Sequence, residues 1–154
     1  MRYQSRRLML QVLGFAALLP VSGLSAANAL QLTVHKNPGC DCCDGWVEHL
    51  RANGFATTVI ETSEINRVKA RFGIPADLAS CHTAEAGAYV LEGHVPAAAV
   101  KRLLEERPDA QGLAVPGMPS GSPGMSGEPE EYDVILFGTG DRRVYGRFRA
   151  DEQI

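Results

Sequence analysis

Three of the 4 cysteines in this chain stand within one short run, Cys40-Asp41-Cys42-Cys43, and the fourth, Cys81, is followed directly by His82. Three chemistries suit such a set. The first is structural disulfides, the usual meaning of an even cysteine count in an exported chain: Cys40 with Cys43 leaves Cys42 to reach Cys81. The second is thiol–disulfide exchange through the CxxC of Cys40 and Cys43. A helix N-terminus lowers a thiol pKa, so Cys40 would attack and Cys43 would resolve. The third is a soft metal, since thiolates select Cu(I), zinc or iron–sulfur clusters. Four cysteines can close a tetrahedral zinc site. Adjacent ligands such as Cys42 and Cys43 diverge, however, and suit the bridging thiolates of a multinuclear Cu(I) cluster better. Four thiolates with four Cu(I) ions would also be neutral, removing the penalty of burying charged sulfur. Metal binding is the preferred class. His82 reads as the auxiliary ligand or proton acceptor or else as a surface histidine, and Met118 and Met125 as thioether donors for Cu(I) or as packing within a flexible loop. Lys36 is placed to lower the thiol pKa values by proximity. His35 ends a strand near the motif. His49 and His94 read as structural or exposed, and Trp46 as a core or rim residue.

These residues need elements to position them. Leu30 to His35, with Leu32, Thr33 and Val34, predicts a first strand broken by Asn37-Pro38-Gly39. Asp44 as N-cap opens a helix that turns Cys43, Val47 and Leu50 to one side and stops at Gly54. Phe55 to Glu61 predicts a second strand, and Ser63 caps a helix with Ile65, Val68 and Phe72 inward. A loop with Cys81 and His82 follows. Ala88 to Leu91 then forms a strand, Glu92-Gly93 a turn and His94-Val95 a short return strand. Pro96 opens a helix with Val100, Leu103 and Leu104 on one face. The order β-α-β-α-β-β-α over residues 31–107 resembles the thioredoxin and glutaredoxin core. In that fold the loop before the third strand packs on the CxxC, which brings Cys81 and His82 to the other three thiols. The oxidoreductases of that fold carry a cis-proline in this loop, whereas the sequence here is Ser80-Cys81-His82-Thr83-Ala84. Residues 112–130 read as a Gly/Pro/Ser-rich loop holding Met118 and Met125. Asp133 to Phe137 and Arg143 to Arg149, joined by a turn at 138–141, read as a C-terminal β-hairpin extension.

Residues 1–29 read as a signal peptide: Arg2, Arg6 and Arg7, an apolar stretch from Leu8 to Leu24, and Ala27-Asn28-Ala29 before the cleavage point. Gly14, Pro20, Ser22 and Gly23 interrupt the apolar run and argue against a stable membrane anchor. Ser5-Arg6-Arg7-Leu8-Met9-Leu10 resembles a twin-arginine export motif. The expected location is the periplasm. The expected domain is residues 30–154, with a core over about 31–107 and the loop and hairpin over about 108–154. The formal charge of −3 becomes −6 without the leader, with 12 basic against 18 acidic residues. That sign argues against nucleic acid as a partner.

Pro38-Gly39-Cys40-Asp41-Cys42-Cys43, Trp46-Val47-Glu48-His49-Leu50, Ala79-Ser80-Cys81-His82-Thr83-Ala84, Glu92-Gly93-His94-Val95-Pro96 and the segment from Gly112 to Pro119 together resemble the periplasmic copper-resistance family called CopG. The likeness covers nearly all of the chain after the leader. It implies a thioredoxin-like fold and a cluster of several Cu(I) ions on Cys40, Cys42, Cys43 and Cys81. It further implies a role in copper homeostasis and resistance, extending to copper redox chemistry, with other periplasmic copper-handling proteins as partners. The alternative from a different class is a thioredoxin-like thiol–disulfide oxidoreductase using Cys40 and Cys43.

Overall fold

The computed structural model describes residues 30–138, 140 and 142–154. The expected signal peptide, residues 1–29, and residues 139 and 141 of the expected turn lie outside the described residues. Eight strands form a single sheet in the order β2-β1-β3-β4-β5-β6-β7-β8. They are β1 (Gln31–Lys36), β2 (Ala56–Glu61), β3 (His82–Ala86), β4 (Tyr89–Glu92), β5 (Gly112–Ala114), β6 (Glu131–Phe137), β7 (Arg143–Arg149) and β8 (Glu152–Gln153). Three helices accompany them: α1 (Asp41–Ala52), α2 (Ile65–Arg71) and α3 (Ala97–Glu106), with a 3-10 turn at Ala76–Leu78. The expected order β-α-β-α-β-β-α holds up to the end of α3.

Alternation along the strands decides what each face carries. Leu32 and Val34 of β1, Ala84 of β3, Leu91 of β4 and Leu113 of β5 share one face. There they pack with Trp46, Val47 and Leu50 of α1 and with Val100 and Leu103 of α3. Thr83 and Glu92 fall on the other face, where Lys69 of α2 meets them. Further along that face a smaller cluster joins Leu78, Ala114 and Phe137. Parallel pairing of β1 with β2 and antiparallel pairing of β1 with β3 set the end of β1 beside the start of β3, with Lys36 opposite His82.

Several boundaries differ from expectation. Helix α1 begins at Asp41 with Cys40 as N-cap, so Cys42 and Cys43 lie inside its first turn instead of before it. Asp44 is therefore helical, and its backbone N–H closes on the Cys40 carbonyl at 3.2 Å. Ser63 caps nothing, because α2 starts one residue later, after Glu64. The third and fourth strands turn over Gly87-Ala88, and His82 opens β3. Glu92-Gly93 ends β4 instead of reversing it, since the Glu92 carboxylate is held inside the protein. His94-Val95 consequently makes no strand. Pro96 caps α3 from outside. The extension exceeds a hairpin: β5 pairs parallel to β4 and antiparallel to β6, and β8 adds an edge on β7.

Candidate metal centre

The first turn of α1 sorts its cysteines by angle, since successive residues are about 100° apart on a helix with 3.6 residues per turn. Cys43 points into the core with Trp46, Val47 and Leu50 and is fully buried. Cys40, three residues earlier, shares that side and is joined to Cys43 by a disulfide across a Cα separation of 5.3 Å. Cys42 is rotated away, half-buried and a free thiol. Its sulfur stands 3.6 Å from that of Cys40 and 3.9 Å from that of Cys81, the second free thiol. All four sulfurs lie within 4.8 Å of one another. Two segments far apart in sequence thus converge as the fold reading expects.

Cys81 precedes β3 and is tied from several directions. Its sulfur is 3.1 Å from Nε2 of His94 and 3.4 Å from Nδ1 of His82. These three residues form a second group with ligand-capable atoms within 4.8 Å of one another. His94 read in sequence as structural or exposed; it is buried, and it lies against a site thiol. Its Nδ1 is 2.7 Å from the Pro123 carbonyl oxygen, which can only accept, so Nδ1 carries the proton and the Nε2 lone pair faces Cys81. His82 packs against Trp46 with ring centroids 4.3 Å apart and planes tilted by 35°, and its Nε2 has no hydrogen-bond partner among the described residues. Burial holds His94 below the ordinary imidazole range. Burial, with the neighbouring His94 and Lys69, holds His82 well below it. Both rings are therefore neutral donors at neutral pH. Burial and then the adjacent Cys42 push the Cys81 thiol up to about 11, so a metal arriving there displaces a proton.

The remaining sequence candidates fall at different distances from this centre. Lys36 is buried, but its ammonium is engaged by Asp44 at 3.0 Å and Glu61 at 3.1 Å, which neutralise it locally. Met118 is exposed and lines a surface cavity of about 290 Å³ with Ala79, Ser80, Cys81 and Gly117. Met125 is half-buried in the following turn. The loop that carries both is fastened to the centre. Ser80 Oγ donates to the Gly117 carbonyl at 2.6 Å, and Gly124 packs so closely on α1 that a Cβ at Gly45 would lie 2.9 Å from the Gly124 Cα. His49 lies apart from the thiols and accepts the Ala97 N–H at 3.0 Å through Nε2. His35 contacts Glu85 at 3.0 Å. Trp46 is fully buried and donates its indole N–H to the Val95 carbonyl at 2.8 Å. The signal that could have found His94 is its place directly after Glu92-Gly93, at the end of the strand paired with the one His82 opens.

A model for proteins of unknown function, DUF411, matches residues 78–125, the stretch from the Cys81 loop to Met125. No curated protein matches the chain. Two solved structures, form 1 and form 2 of the copper resistance protein CopG, each superpose with a TM-score of 0.74 at 41% identity, covering 78% of this chain and 98% of that one. At that identity and coverage, with four cysteines gathered where the motifs placed them, the chain belongs to the CopG copper-resistance protein family.

Proposed function

We propose that this protein is a periplasmic copper-binding protein that holds several Cu(I) ions in a thiolate cluster on Cys40, Cys42, Cys43 and Cys81 and acts in copper resistance. One observation carries the reading: four sulfurs from two distant segments lie within 4.8 Å of one another. Thiolates are the donors Cu(I) prefers. Sulfurs 3.6 and 3.9 Å apart also suit ligation of common ions, since two thiolates at roughly 2.3 Å from one metal stand about 4 Å apart at trigonal angles. Neutral His82 and His94 extend the donor set inward, and Met118 and Met125 on the overlying loop supply thioether at its edge. The disulfide form offers two free thiols; two electrons and two protons from a dithiol reductant release Cys40 and Cys43 and complete the set. When bound, copper would bring one-electron redox chemistry to the site.

Residues 1–29 are read as the cleaved leader that delivers residues 30–154, by the twin-arginine or the general route, to the periplasm and to copper-handling partners there. No helix of the described residues is long and apolar enough to cross a membrane. The thioredoxin-like reading of the fold rests on the element order and on β1 lying between parallel β2 and antiparallel β3. It also sustains a second function, thiol–disulfide exchange, favoured by the Cys40–Cys43 disulfide across the first turn of α1. Anaerobic Cu(I) titration of the reduced protein with elemental analysis separates the two. Roughly three or more ions per chain support the cluster. Absence of bound copper together with rapid reduction of a test disulfide overturns it. Cys81→Ser should weaken copper binding severely while leaving Cys40–Cys43 exchange largely intact.

A further inference from the structure

Among the described residues one carboxylate is completely buried, that of Glu92, and it sits directly behind the segment carrying Cys81. Its Oε1 accepts the Ser80 backbone N–H at 2.6 Å and the Lys69 ammonium at 2.5 Å; its Oε2 accepts the Thr83 hydroxyl at 2.7 Å. Lys69 also donates to Thr83 Oγ1 at 3.0 Å. The carboxylate therefore grips the residue before Cys81 and the residue after His82. From the same stretch, the Gly93 N–H donates to the His82 carbonyl at 3.1 Å, and His94 meets the Cys81 sulfur from the front. Position 93 has no room for a side chain: a Cβ there would lie 2.7 Å from the Ser80 hydroxyl oxygen. A buried ion pair is an expensive way to stabilise a fold, because apolar residues of similar volume often do as well or better. What it provides here is one arrangement of residues 80–83, with both carboxylate oxygens of Glu92 accepting hydrogen bonds.

We propose that Glu92, held by Lys69 and Thr83, is a positioning residue for the thiol site: it fixes the Cys81 segment against the first turn of α1 and so sets the Cys42–Cys81 approach. This rests on the reading of the thiols as the working groups, but its test needs no copper, so the two can fail separately. In a full-length Cys40→Ala/Cys43→Ala background only Cys42 and Cys81 remain. Equilibration with glutathione then follows one balanced exchange. The two thiols and one oxidised glutathione give the Cys42–Cys81 disulfide and two reduced glutathiones, and the equilibrium yields the effective concentration of one thiol at the other. Glu92→Gln should lower that value by about tenfold or more, since displacement by an ångström is enough to lose such factors. Thr83→Val, which removes the hydroxyl bridge but keeps the shape, should lower it by a smaller factor and covers the case in which Glu92→Gln does not fold. Leu103→Ala, a cavity in the core on the other face of the sheet, supplies a general loss of stability and should leave the value within about twofold. An unchanged value in folded Glu92→Gln and Thr83→Val, or an equal fall in Leu103→Ala, overturns the assignment.

Discussion

Gly124 is where the methionine loop touches the cysteine helix, and replacing it with alanine tests how the site is closed. Its φ of +86° is left-handed, where a Cβ costs about 1–2 kcal/mol. That Cβ would also lie 2.5 Å from the Cys42 carbonyl oxygen and against the Trp46 amide nitrogen, both backbone atoms of α1 that cannot swing aside. Such overpacking adds about 1–3 kcal/mol, so Gly124→Ala should destabilise by about 2–5 kcal/mol. Two controls divide the sum. Gly39 has a similar φ of +70° with nothing within 4 Å of a Cβ, so Gly39→Ala should show the backbone share alone, about 1–2 kcal/mol. Gly45 is helical, and a Cβ there meets the Gly124 Cα from the other side. Gly45→Ala should show the steric share less the roughly 1 kcal/mol that alanine contributes within a helix. Urea unfolding followed by Trp46 emission measures all three, and Gly124→Ala should lower the midpoint by about 1 M or more. If Gly124→Ala proves no worse than Gly39→Ala, the loop yields freely and is not a fixed wall of the site.

Acid should destabilise the metal-free protein beginning near pH 6.5. Burial holds His49, His82 and His94 below the ordinary imidazole value, so the unfolded chain binds more protons than the folded one. The stability present above about pH 6.5 is lost as pH falls toward their folded values, at up to about 1.4 kcal/mol per pH unit for each imidazole. Urea midpoints that stay flat between pH 7.5 and about 5 would count against this burial. For His49 the same loss should follow at neutral pH from His49→Leu, which leaves the Ala97 N–H without its acceptor and should lower stability by about 1–3 kcal/mol. The chain's 1 tryptophan, packed against His82 beside Cys81, should report occupancy directly: Cu(I) loading of the reduced protein should quench its emission in step with bound copper. Emission that ignores copper would place the ions elsewhere.

Much of the fold is legible because local signals and tertiary outcome agree. Leu32 and Val34 alternate in a strand whose inward face is fully apolar, and Val100 and Leu103 recur at helical spacing toward the same core. The convergence of Cys81 on Cys42 follows from element order, since a strand-to-helix turn and the loop before the third strand meet at one end of the sheet. The failures lie where tertiary contacts override residue type. Glu92 reads as a turn residue because carboxylates are seldom buried; Lys69, Thr83 and the Ser80 N–H make burial tolerable, and they come from two segments distant from it in sequence, α2 and residues 80–83. His94 reads as ordinary because the atoms that orient it, Cys81 Sγ and the Pro123 carbonyl oxygen, stand 13 and 29 residues away. Strand β5 escapes notice because three residues in a Gly/Pro-rich stretch carry no periodicity.

The doubled cysteine of the CxCC run makes sense as a helical angle. Cys40 and Cys43, three residues apart, share a face and close a disulfide; Cys42 is turned about 100° from its neighbour and meets Cys81 instead. A CxxC alone would offer a redox pair and nothing for a second loop to complete. Adding a cysteine at the third position gives the first turn of α1 two functions on two faces, a dithiol that can be locked and a thiol that reaches across. Opening the lock changes the thiols available at this spot from two to four. Any ligand that needs all four sulfurs therefore has its affinity tied to the redox state of the same residues. A CxxC and a metal motif set apart in sequence would not impose that coupling.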